Sequence, residues 1–125
     1  MNSENGIKDY FTICNCIKEL NSKIMFVGVI NERGRLVAGG MNDEIKSMIN
    51  RKFYEVLFMQ VTLKVKMRKE FDKQLGSVNF TMSQRDRTLA IAFPIGVSDT
   101  LCVFAESNVE YSKLIKRIQS LRGKK

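Results

Sequence analysis

Cys14, Cys16 and Cys102 are the candidate nucleophiles of this chain, and it contains no histidine to activate them. A free thiol stays mostly protonated at neutral pH unless a neighbouring group activates it. The missing imidazole also removes Ser-His-Asp triads and His-ligated zinc. Cys14 and Cys16 are two residues apart, which on a helix turns them about 200° from each other. They cannot readily clamp one metal, and no second ligand pair completes a site. The thiols therefore read as buried and inert, with no catalytic residue, cofactor site or metal site expected. No Gly-x-x-x-x-Gly-Lys-Ser/Thr occurs, so a P-loop is not indicated. Gly39-Gly40 could cradle a phosphate ahead of a helix, yet a lone glycine pair is first a hairpin-to-helix turn. That leaves Arg33, Arg35, Arg85 and Arg87. They fall at turn tips, from which an arginine can reach a partner's nucleotide, although solvated turn charges are commoner.

These residues sit in a chain of 125 residues, 44% hydrophobic and 27% charged, proportions that suit one soluble domain spanning 1–125 with one core. No run approaches the roughly 20 apolar residues of a membrane span, and the polar start lacks a signal-peptide core, so no membrane insertion is expected. Odd cysteine usage without secretory signals points to a reducing cytoplasm. The net charge is +8, and residues 109–125 hold six cations against Glu110 alone. Lys64, Lys66, Arg68, Lys69, Lys113, Lys116, Arg117, Arg122, Lys124 and Lys125, with Phe80 and Tyr111 for stacking, leave a basic nucleic-acid-binding module as the alternative reading. No recognised nucleic-acid motif accompanies them, and core packing is the commoner use of such aromatics.

Residues 8–21 read as a helix from the apolar spacing of Tyr10, Ile13, Cys14, Ile17 and Leu20. Ile24–Ile30 is a short apolar strand. Asn31-Glu-Arg-Gly34 is a turn, Arg35–Ala38 the returning strand, and Gly39-Gly40 a break. After Gly76 the pattern is all strand. Val78, Phe80 and Met82 alternate with polar residues, Leu89–Phe93 is a central strand ended by Pro94, and Thr100–Ala105 is another. From Val109 onward helical spacing returns.

The stretch 43–74 is the most informative. At about 100° per residue, Ile45, Ile49, Phe53, Val56, Leu63, Met67 and Phe71 share one stripe, interrupted by Gln60. Tyr54, Leu57, Phe58, Val61 and Val65 make a second. A helix lying on one sheet covers one such face, and the surplus predicts a second subunit. Val61, Leu63, Val65 and Met67 also alternate with polar residues as a strand would; the unbroken 3.6 period on both sides selects helix.

The order helix, two strands, long helix, three strands, helix fits an α+β sandwich. A five-stranded antiparallel sheet would carry the long helix on one face and the terminal helices on the other. Phe26–Ala38 and Leu89–Glu106 are similar to the first and last hairpins of roadblock-type, longin-related domains of the profilin-like fold. Met67–Asp72 and Ser83–Arg87 resemble an uncharacterised archaeal group of this layout. The resemblance implies a non-catalytic scaffold or regulator, of a small GTPase or another signalling partner. It also implies a homodimer built on the central helix and an edge strand. Tyr54, Leu57, Phe58, Val61 and Val65 would then face the partner subunit, and Val78–Ser83, including Phe80, would be the edge.

Overall fold

The apolar, β-branched run Ile24–Ile30 forms strand β1 with the boundaries its sequence predicts. The computed structural model describes residues 3–41 and 51–122. Helix α1 (Ser3–Lys18) precedes β1, and Asn21 ends the connection, its Oδ1 accepting the Lys23 N–H at 2.9 Å. Strand β2 (Leu36–Met41) follows, then helix α2 (Arg51–Arg68), a 3₁₀ turn (Lys69–Phe71) and the one-turn helix α3 (Asp72–Leu75). Strands β3 (Thr81–Gln84), β4 (Thr88–Ile95) and β5 (Asp99–Glu106) and helix α4 (Tyr111–Arg122) complete the order.

The five strands form one sheet in the order β2-β1-β5-β4-β3, every neighbouring pair antiparallel. Alternation along the strands builds two layers. On one face Leu89, Ile91, Phe93, Val27, Val29, Leu101 and Val103 meet Cys14 and Ile17 of α1 and Leu114, Ile115 and Ile118 of α4. On the other face Phe26, Ile30 and Cys102 meet Phe58 of α2, flanked by Tyr54, Val61 and Phe104. Among the described residues, the fold is an α+β sandwich with the long helix α2 on one face and α1 and α4 on the other.

Several local expectations are corrected. Gly39-Gly40 is not a break: both lie inside β2, opposite Gly28 and Val27. Gly39 has φ +82°, and a Cβ there would collide with the Val27 carbonyl oxygen. Only glycine permits that approach of the two backbones. Pro94 does not end β4 either. It lies inside the strand opposite Thr100, beyond Ala92, the last residue that β3 pairs. There β4 has become an edge, where a residue without an N–H is tolerated. The edge strand β3 begins at Thr81, leaving Val78–Phe80 as its approach. The single rod over 43–74 is interrupted after Arg68 by the 3₁₀ turn, and residues 42–50 lie outside the described ones. Residues 61–68 are helical, as the 3.6 period requires.

Candidate interaction surface

The side chains of α2 separate into two faces. Phe58 is 5% exposed and packs against Phe26 with ring centroids 5.7 Å apart, while Tyr54 stacks on Phe58 at 5.9 Å and Phe104 on Phe26 at 5.1 Å. Of the stripe Tyr54, Leu57, Phe58, Val61 and Val65 expected to face a partner subunit, Phe58 is instead buried within its own chain. Tyr54, Phe58 and Val61 belong to their own sheet, and Leu57 and Val65 are half-buried beside them. Aromatic rings bury about 150–250 Å² each and gain from tilted ring contacts. The stripe that carries them takes the sheet face, where Phe26 and Phe104 await them.

The other stripe faces outward. Val56, Met59, Leu63 and Met67 are exposed, and Phe71 and Leu75 continue the row past the 3₁₀ turn. Ile45, Ile49 and the Phe53 side chain lie outside the described residues. A separate pair of partly exposed apolar side chains, Phe80 and Met82, lies at the approach and edge of β3; Met82 pairs with Ile91, on the sheet face away from α2. Phe80 leans on Phe93 with centroids 6.1 Å apart, and Val78 is half-buried. Arg68 Nη1 donates to Thr81 Oγ1 at 2.8 Å, tying the end of α2 to the edge strand.

The turn arginines are where the sequence places them, but they do not converge. Asn31 Oδ1 accepts the N–H groups of Arg33 and Arg35 at 2.9 and 3.1 Å, an Asx turn closed by Gly34 at φ +79°. Gly34 rests against α2, where a Cβ would sit 3.0 Å from Met59 Sδ. The flanking Arg33 and Arg35 point to solvent. Arg85 and Arg87 are equally exposed in a turn held by Ser107, whose hydroxyl donates to the Asp86 carbonyl at 2.9 Å. Because Ile30 pairs with Thr100 and Thr88 with Glu106, the two arginine pairs occupy opposite ends of the sheet. The basic clusters are divided as well. Lys64, Lys66 and Lys69 belong to the α2 side, whereas Lys113, Lys116 and Arg117 are on α4, across the sheet.

The cysteines are free. Burial pushes the Cys14 thiol up to about 11, a rise that Lys18 only partly offsets. Burial, then the nearby Cys14, pushes Cys102 up to about 12. Both are poor nucleophiles at neutral pH, whereas Cys16 is exposed. Among the described residues no group of three metal-ligating side chains forms, and no helix is long and apolar enough to cross a membrane. Sequence spacing gave no sign of the Tyr10 hydroxyl, which donates to Asp99 Oδ2 at 2.8 Å across 89 residues.

A family model described as a family of unknown function, DUF6659, matches residues 2–125. The chain belongs to DUF6659. No functionally curated protein matches the sequence of this DUF6659 chain. Its fold is that of Roadblock/LC7 domains. It is similar to a Roadblock/LC7 domain from Streptomyces avermitilis (TM-score 0.70, 10% identity, covering 90% of this chain and 91% of that one). MglB of Myxococcus xanthus is similar too (TM-score 0.73, 11% identity, 94% and 84% covered). So is an MglB solved in a tetrameric arrangement (TM-score 0.65, 10% identity, 94% and 90% covered).

Proposed function

We propose that this DUF6659 chain is a non-catalytic homodimeric platform, a scaffold or regulator for a small GTPase or a similar signalling partner. The observation that carries the reading is the uncovered outer stripe of α2. Val56, Met59, Leu63 and Met67 form a continuous apolar row on a helix whose opposite face is already satisfied by the sheet. A row of this kind left in water favours association. Its own copy is the simplest cover, since a two-fold axis pairs the row with itself. The edge strand β3, with Phe80 and Met82 partly exposed, would extend the pairing along the sheet. The tetrameric arrangement of a similar MglB supports self-association.

In this arrangement each subunit presents an Arg33/Arg35 turn and an Arg85/Arg87 turn on opposite ends of its sheet, and one pair in each subunit meets the partner. The test uses the small GTPase encoded nearest to this chain. It is loaded with GDP or a non-hydrolysable GTP analogue and titrated with the purified protein, and binding and GTP hydrolysis are followed. Binding that depends on the bound nucleotide, and that weakens on replacing one arginine pair with alanine, is the expected result. Equal or absent binding in both nucleotide states would discard the GTPase assignment.

A further inference from the structure

Between α2 and the β3–β4–β5 part of the sheet lies a cleft of about 380 Å³, within the range of roughly 300–1,000 Å³ usual for small-molecule sites. Its origin is a mismatch of side-chain size along α2. Towards its N-terminal end the helix is propped on Phe26, Phe58, Tyr54 and Phe104. Towards its C-terminal end the small residues Ala90, Ala92, Cys102, Thr81 and Ser83 line the floor, with Phe104 at its inner end. Small residues under a helix held up by rings leave a wedge of space. Leu57, Val61 and Phe104 make its inner wall apolar, and the exposed Gln60, Lys64, Met67, Met82 and Arg85 surround its mouth.

The charges of this cleft are all of one sign. Lys64, Arg68 and Arg85 line it and, among the described residues, no carboxylate does. Arg68 is half-buried: Nη1 donates to Thr81 Oγ1 at 2.8 Å, but its buried Nε–H has no acceptor among the described residues. A buried donor at a charged group is costly to leave unmade. Burial also lowers the affinity of Arg68 for its proton, and the neighbouring Asp72, which lies outside the cleft lining, only partly restores it. An anionic oxygen placed against Nε would complete the guanidinium as a charge-assisted, planar acceptor.

We infer that this cleft binds a small amphiphilic carboxylate, its head on Arg68 with Lys64 and Arg85 nearby and its hydrocarbon chain over Ala90, Ala92 and Cys102. The apolar floor disfavours a free inorganic anion, and the cationic lining with an unmatched N–H disfavours a neutral hydrocarbon. The lining comes from one subunit and needs no GTPase; because Met67 and Met82 at the mouth also belong to the proposed pairing surfaces, the titration is run on dilute, single-chain protein.

Dodecanoate is the probe, with dodecanol and inorganic phosphate as controls, titrated calorimetrically below the micelle concentration while 13C-labelled alanine methyls are observed by NMR. The expected result is one dodecanoate per chain, shifts at Ala90 and Ala92, and affinity at least tenfold weaker for both controls. Arg68→Gln, which keeps an N–H at the Nε position but loses the charge and the Nη1–Thr81 bond, should weaken dodecanoate at least tenfold while Thr81→Val, which loses only that bond, should not, and Ala92→Phe should abolish binding by filling the floor. Equal affinity for dodecanol, binding of several molecules without methyl shifts, or undiminished affinity in Arg68→Gln would each overturn the inference. If a variant fails to fold, the dodecanoate-to-dodecanol ratio in the unaltered protein decides alone.

Discussion

Replacing Phe58 or Leu63 with alanine separates the two faces of α2, because one side chain belongs to the core of its own subunit and the other does not. Phe58 is 5% exposed and Leu63 is 55% exposed. Removing a buried phenyl ring costs about 3–5 kcal/mol when the surroundings relax only partly. The rings of Phe26 and Tyr54, at 5.7 and 5.9 Å, leave little freedom to collapse. A chain of this size loses roughly 3–4 °C of Tm per kcal/mol, so Phe58→Ala should lower Tm by about 10–20 °C. Leu63→Ala removes a side chain already half in water and installs a better helix former, so the monomer should change by no more than about 0.5 kcal/mol. Urea unfolding followed by far-UV circular dichroism checks both, at a dilution where self-association adds nothing to stability. With a urea slope of about 1–3 kcal/mol/M, the Phe58 variant should shift by more than 1 M. A larger loss from Leu63→Ala than from Phe58→Ala would mean that α2 is rolled the other way, and the argument from the aromatic cluster would fail.

Further outcomes follow from single contacts. Gly39→Ala should cost about 2–4 kcal/mol, combining left-handed backbone strain with a clash, and Cys14→Ala should not rescue it, because the nearest obstacle is the Val27 carbonyl; thermal melts of the single and double variants check this. Stability should be flat from pH 6 to 8, since there is no histidine, and should fall on the alkaline side. Cys14, Cys102 and Tyr10 are raised in the fold to about 11, 12 and 12. The unfolded chain therefore loses these protons first, and stability drops as pH rises from about 9 to 12. In Tyr10→Phe the part of that slope between pH 10 and 12 should shrink, and urea midpoints against pH would show it. Binding to heparin should be weak and lost at modest salt, because the basic clusters of α2 and α4 face away from each other across the sheet; salt-resistant retention would revive a nucleic-acid role.

What the sequence discloses here depends on how local the cause is. The boundaries of β1 are legible because a seven-residue apolar run between polar turns has one reading. The helical state of 61–68 follows from a period that continues on both sides. The roll of α2 is not legible in this way. Two apolar stripes compete for one sheet, and the winner is set by Phe26 and Phe104, which lie about 25 and 36 residues from the near ends of the helix on two different strands. Gly39-Gly40 reads as a turn until Gly28 and Val27 are known to lie opposite. The arginine pairs look alike in sequence, and only strand order sends them to opposite ends of the sheet. The Arg68–Thr81 contact likewise joins elements whose adjacency no spacing rule predicts.

Sedimentation equilibrium of the unaltered protein and of Leu63→Asp tests the platform most directly. Twice the 14.4 kDa chain mass for the former and a folded single-chain mass for the latter are the values required by pairing through the outer stripe of α2. A single-chain mass for the unaltered protein at every concentration, or an undiminished dimer in Leu63→Asp, would contradict it.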